Sequence, residues 1–233
     1  MVTILVLRCD ERLVLRAMQF SRILVGRTTN SREMQVTAIF ESWHVGDGNY
    51  PPLSRGQLVR LSFELQPTSL APHRGAAEPR LEHVGDAEYR GVARVLRRYQ
   101  GEYNPLVVLQ AGTFRFYVYS PEAAPLAPDE WVEFAGTLLL DHYIWVEYLR
   151  TYPDPPDLFY SLRVTRIRKV TVPERFVARH QHGKALPTRV GPADFEGMEG
   201  LATMEGQPFD EEFFVIDFDG TGLEGANIPL TFQ

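Results

Sequence analysis

Residues 213–225 read FFVIDFDGTGLEG, an apolar strand-like run that delivers two carboxylates, Asp217 and Asp219, to a glycine-rich stretch. The chemistry open to such a pair is phosphoryl transfer. That reaction needs more than two aspartates: a metal ion and cationic groups must neutralise the charge developing on the phosphate.

The Asp-x-Asp-Gly-Thr order of residues 217–221 resembles the nucleophile motif of the haloacid-dehalogenase-like phosphotransferases. The resemblance implies Asp217 as nucleophile, Asp219 as acid/base, and Mg²⁺ held with help from carboxylates elsewhere. In that family the remaining parts follow the motif along the chain. Here only twelve residues follow Thr221, none of them Lys or Arg, and GLEGANIPLTFQ cannot build an α/β sheet with its crossover helices. The segment is therefore read as a β hairpin: FFVIDF, a turn about Asp219-Gly220, then NIPLTF. Asp-Gly suits such a turn because both residues tolerate left-handed backbone. No catalytic residue, metal site or cofactor is expected.

Other reactive groups are sparse. His180 and His182 stand close together and Glu174 could join them, but a metal site generally needs three or four ligands, and a solvated polar segment is the expectation. His44, His73, His83 and His142 are dispersed, and Cys9, beside an apolar run, reads as a small core residue. Neither a dinucleotide-binding glycine pattern nor a phosphate-loop lysine occurs.

The strongest remaining constellation is basic and aromatic. Arg90, Arg94 and Arg98 share the alternation of one strand, and Arg115, Tyr117 and Tyr119 that of another; Arg163, Arg166, Arg168 and Lys169 add charge further on. Single-stranded nucleic acid would use such a surface through arginines on phosphates and rings stacked on bases. Tyrosines equally fill β interiors and support protein contacts.

The elements that must position these residues are mainly β. Residues 2–7 read as a buried strand, and Glu11–Val25 carry apolar residues at helical spacing, the one helix candidate. MQVTAIFESW (34–43) and QLVRLSFEL (57–65) read as a hairpin with a long, glycine- and proline-broken loop. Residues 66–86 are Pro-, Gly- and Ala-rich and read as a loop or boundary. Five strand-rich segments follow: 89–98, 106–112, 113–120, 131–149 and 159–172. With a long fourth strand bending near Gly136, they resemble the oligonucleotide/oligosaccharide-binding barrel, the OB fold, over about residues 88–172. A weak internal repeat would align Gly46 and Asn49 with Gly101 and Asn104, implying two related barrels or two halves of one sheet system.

The expected fold is thus mainly β, OB-like, with one short N-terminal helix and a C-terminal β hairpin. Its regions are a β-rich segment over 1–70, a linker over 71–87, the barrel over 88–172, an extended acidic segment over 173–212 and the hairpin over 213–233. Charge divides along the chain: residues 1–190 carry +4 and residues 191–233 carry −10. The acidic stretch, interleaved with Phe195, Met198, Leu201, Met204 and Phe209, is expected to wrap around the body.

No apolar run reaches the roughly 20 residues of a membrane helix. The N-terminus lacks a basic leader before its apolar run and the single cysteine precludes an internal disulfide, so a cytoplasmic protein without membrane partners is expected. The functional expectation is a non-enzymatic interaction module within a protein assembly, by partner binding or self-association; the second reading is a single-strand nucleic-acid binder using Arg90, Arg94, Arg98, Arg115, Tyr117 and Tyr119. A Mg²⁺-dependent phosphohydrolase is a distant third.

Overall fold

A computed structural model describes residues 34–75, 77–101, 103–140, 151–153, 157–170, 179–181, 184–186, 199–207 and 213–220, all within the compact unit spanning 33–233. The helix expected over Glu11–Val25, Cys9, His142, His182, Glu174 and the NIPLTF return strand lie outside the described residues.

The chain runs β1 (Met34–Glu41), a single helical turn α1 (Trp43–Gly46), β2 (Leu58–Leu61), β3 (Phe63–Pro72), β4 (Arg80–Gly85), β5 (Glu88–Gln100), β6 (Pro105–Ala111) and β7 (Phe114–Tyr119). A 3₁₀ turn at Pro121–Ala123 precedes β8 (Trp131–Leu140) and β9 (Tyr160–Val170). Last come β10 (Arg179–Gln181), β11 (Lys184–Leu186), β12 (Glu199–Leu201) and β13 (Phe213–Gly220). The mainly β class expected from the sequence is the class observed.

Five strands close a barrel. β5, β6 and β7 form an antiparallel meander, β5 pairs with β8, β8 with β3, and β3 returns to β7 through a parallel contact at Glu64 and Tyr117. The pairing is OB-like, but one stave differs from the sequence reading. The closing strand is β3, which precedes the other four in the chain; β9, expected to fill that place, pairs instead with β2, β12 and β13. Chain-local pairing is the usual rule, and it misassigns a ring whose closing strand arrives from upstream. Residues 66–86, read as a loop, accordingly supply most of β3 and all of β4.

Gly136, where a bend was expected, pairs with Tyr89 of β5 on one side and Pro67 of β3 on the other. A side chain there would collide with the Gln66 carbonyl, opposite the bulge that Pro67 and Ser69 bracket in β3. Close approach, more than flexibility, explains the glycine.

Beyond the barrel the pairings continue from β8 into β1 through Ile39 and Leu139, then through β13 and β9 to β2. Only Ser62 separates β2 from β3, so these strands trace a second circuit that shares β3 and β8 with the barrel. The expected hairpin of 34–43 with 57–65 does not form: β1 lies between β13 and β8, while β2 lies on β9. β5 and β6 do pair directly, so the two halves of the aligned repeat occupy different topologies.

One core runs through both circuits. Phe40, Phe63, Phe116, Tyr160, Phe214 and Phe218 are fully buried in it, with Phe114 stacked on Tyr160 at 5.1 Å between ring centres. Burying each such ring stabilises the fold by about 2–3 kcal/mol before ordering costs. The alternation of β13 follows directly: Phe214, Ile216 and Phe218 face this core, leaving Val215, Asp217 and Asp219 on the other face. The strand is interior, paired on both edges through Gly220, so Asp219 and Gly220 are strand residues where a turn was expected.

Part of the acidic stretch does pack on the body. β12 pairs with β9, Met204 is buried in the core, and Thr203 bonds Ser54 across 2.8 Å.

Candidate functional site: a charged cleft on the β1–β13–β9 face

The basic and aromatic residues singled out by sequence do not form one surface. Arg94, Gln110 and Arg115 fall in one cross-strand row on the outer barrel face, and Arg97, Val108 and Tyr117 in the next. A bulge at Leu96, between Val95 and Arg97, reverses the alternation of β5. Arg98 consequently pairs with Val107, a core residue, and projects from the opposite side of β5 to Arg90 and Arg94.

The cations that do share a face are mostly engaged. Arg90 makes a two-pronged ion pair with Glu82 at 2.8 and 2.9 Å, which holds the carboxyl below its usual range; Arg94 pairs with Asp129 at 2.7 Å. Arg115 donates through Nε to Gln110 at 3.3 Å.

The tyrosines are no stacking platform. Tyr117 is fully buried beneath Leu158 and Phe159, in a satellite cluster with Tyr99, Leu106 and Val108, against which Tyr119 and Tyr152 also pack. Tyr152 ties this cover down by donating to the Gln100 carbonyl at 2.8 Å, and Arg60 sits 4.8 Å over the Phe159 ring. Tyr119 accepts from the Tyr103 amide at 3.1 Å and the Asn104 amide at 3.4 Å, bracing the β5–β6 turn. Among the described residues, the chain's own β8–β9 connection occupies this face.

Polar side chains converge elsewhere, on the outer face of β1, β13 and β9. Cross-strand rows place Thr37 beside Asp217 and Arg166, and Gln35 beside Asp219 and Arg163. Strict alternation on β9 would put Arg163 on the opposite face from Arg166 and Arg168. A register shift between Asp217 and Phe218, with Thr165 as the extra residue, brings all three to the aspartate face. Thr165 then donates its hydroxyl to the Asp217 carbonyl at 3.0 Å.

At the centre, Arg168 bridges two carboxylates: Nη1 to Asp86 Oδ1 at 2.8 Å and Nη2 to Asp217 Oδ1 at 2.9 Å. Its side chain is 11% exposed, and its Nε is buried with no acceptor among the described residues. Thr37 donates its hydroxyl to the same Asp217 oxygen at 2.9 Å and its amide to the Tyr89 hydroxyl at 2.8 Å. Burial pushes the Tyr89 phenol up to about 12 against the opposing effect of the Thr37 bonds, and the Asp217 charge adds to the rise.

Asp86 reaches Arg168 because the two-residue β4–β5 turn, Asp86-Ala87, gives it a positive φ of 34°. Asp tolerates that region better than most side chains. His83 stacks on Tyr89 at 4.9 Å and donates to the Asp86 carbonyl, fixing the turn over the sheet.

Around this network lies a cleft of about 390 Å³, lined by Gln35, Thr37, His83, Asp86, Arg166 and Asp219 together with the Arg168–Asp217 pair. Arg166 and Asp219 line it without an ion pair or side-chain hydrogen bond among the described residues. Sequence reading named Asp217, Asp219, Arg166 and Arg168 separately but missed Asp86, Thr37 and Tyr89. The available signal was the Gly85-Asp86 turn between alternating runs.

Asp217 already serves two donors, and among the described residues no group of three or more His, Cys, Asp or Glu is placed to hold a metal ion. No described helix is long and apolar enough to cross a membrane. No protein-family model, curated protein or solved structure matches this chain.

Proposed function

We propose that this chain is a non-enzymatic β-barrel interaction module acting within a protein assembly. One observation carries the reading: Oδ1 of Asp217, on the carboxylate that a phosphotransferase would need as nucleophile, is held by Arg168 and Thr37 on an interior strand. The residues with most chemical potential thereby join β1, β5, β9, β13 and the β4–β5 turn, and Arg166 and Asp219 stand ready for outside contacts. β4 adds an edge paired only to β5 among the described strands, with Val84 half-exposed.

The nucleic-acid reading keeps the exposed arginines of β5 but loses the stacking surface to the Leu158–Phe159 cover. Two measurements separate the readings. Tagged full-length chain, cross-linked and captured, should retain a stoichiometric protein partner that Arg166→Glu releases. Labelled single-stranded DNA should show no binding at low salt, where phosphate contacts are strongest. Hydrolysis of a phosphate ester that requires Mg²⁺ and disappears in Asp217→Asn would overturn the proposal.

A further inference from the structure

We infer that the cleft between the β4–β5 turn and the β1–β13–β9 face is a binding site for a short zwitterionic ligand of dipeptide size, its anionic end on Arg166 and its cationic end on Asp219. The inference rests on the non-catalytic binding reading and assigns a ligand class to the same face.

The cleft contains two kinds of charge. Both Nη atoms of Arg168 are taken by Asp86 and Asp217, and Thr37 adds a contact to Asp217, so a ligand competing for those atoms would break the network. Arg166 and Asp219 line the same cleft with no ion pair or side-chain hydrogen bond among the described residues. They sit in adjacent cross-strand rows, Arg166 opposite Asp217 and Asp219 opposite Arg163. In a regular ladder the backbone diagonal between such neighbours is roughly 7–8 Å, comparable with the roughly 7 Å that two extended residues span, and here the Thr165 bulge lies between the two rows. One cation and one anion lining the same cleft ask for a ligand of the opposite polarity and zero net charge.

The surroundings select against other classes. A polyanion would meet Asp217 and Asp219, and a polycation would meet Arg163 and Arg166. An apolar ligand would strand polar groups without partners. The volume of about 390 Å³ lies at the small end of the ligand-pocket range, and Gln35 adds an amide able to donate or accept against a peptide bond.

The test uses full-length, ¹⁵N-labelled protein titrated with glycylglycine and followed by amide shifts. Saturable shifts should appear at Gln35, Thr37, Arg166 and Asp219, with a dissociation constant on the order of 1 mM, as two charge-assisted hydrogen-bonded contacts in a cleft allow. Glycylglycinamide, lacking the anion, and N-acetylglycylglycine, lacking the cation, should each bind about tenfold more weakly, as should Arg166→Gln and Asp219→Asn proteins with the parent. Absence of saturable shifts in these residues, or equal binding by the end-blocked compounds, would overturn the inference and leave the interaction-module proposal standing. Release of free glycine during the titration would instead overturn the non-catalytic reading while the site assignment stood.

Discussion

Arg168 of β9 and Asp217 of β13 are diagonal neighbours with Nη2 and Oδ1 2.9 Å apart, and the second prong of Arg168 reaches the β4–β5 turn at Asp86. One side chain thus joins the β4–β5 turn to the strands outside the barrel. Arg168→Met keeps the bulk, removes the charge and leaves two partly exposed carboxylates facing each other. Stability should fall by about 2–3 kcal/mol, below the usual cost of breaking a fully buried pair because water screens the aspartates. Urea denaturation measures the loss; unchanged stability would show that the bridge contributes nothing net.

The same bridge should couple energetically. A double-mutant cycle of Arg168→Met with Asp217→Asn is expected to show an interaction of about 1–2 kcal/mol, because the two side chains share one hydrogen-bonded contact. Amide exchange at Ala87 and Glu88 should quicken in Arg168→Met and in Asp86→Asn, since both release the turn. Additive effects with unaltered exchange would refute the coupling.

Tyr117 lies beneath Leu158 and Phe159, so Tyr117→Ala should cost about 3–5 kcal/mol as a core truncation. Arg94→Ala, at an exposed ion pair, should change stability by no more than about 0.5 kcal/mol. A stable Tyr117→Ala protein that had lost oligonucleotide affinity would restore the stacking-surface reading.

Burial raises the phenols of both Tyr89 and Tyr160 from about 10 to about 12. The unfolded chain gives up these protons first, so it binds fewer protons than the folded chain between those values. Stability should be fully present below pH 10 and fall above it by up to about 1.4 kcal/mol per pH unit for each tyrosine, levelling near pH 12. Denaturation midpoints across that window, with Tyr89→Phe losing its share of the slope, test this; a flat profile would contradict the burial argument.

Gly136→Ala should destabilise by about 1–3 kcal/mol, because the added methyl meets the Gln66 carbonyl where β3 completes the ring. Gly112→Ala, whose new methyl would meet nothing within 4 Å, should act only through its positive φ of 65° and cost about 1 kcal/mol. Thermal unfolding of the two variants compares a steric clash with a backbone preference.

Much of the fold was legible without coordinates. FFVIDF, TFRFYVYS and LVVLQAG declare strands through alternation or β-branched content, and a protein this rich in such runs has few alternatives to a β architecture. The glycine at 136 was legible as a special position, and its structural reason is that only a missing Cβ lets β8 meet Gln66 of β3 there. The strand carrying Asp217 was legible in its alternation, but the turn expected at Asp219-Gly220 does not form, since both residues pair on both edges within β13.

Pairing partners and faces were beyond that reach. β3 closes the barrel from upstream, and no local property of FELQPTSLAP distinguishes it from β9 as the fifth stave, since strand pairing depends on contacts between residues far apart in sequence. Single-residue bulges decided the sites: the one at Leu96 removes Arg98 from the row of Arg90 and Arg94, and the one at Thr165 brings Arg163 to the side of Arg166 and Arg168. One inserted residue inverts every later side chain on a strand. The amino-acid order therefore determined most of the strands and which residues carry charge, while only the tertiary structure decided that residues 66–86 form strands too and which charges meet, because both depend on register across sheets whose strands come from distant parts of the chain.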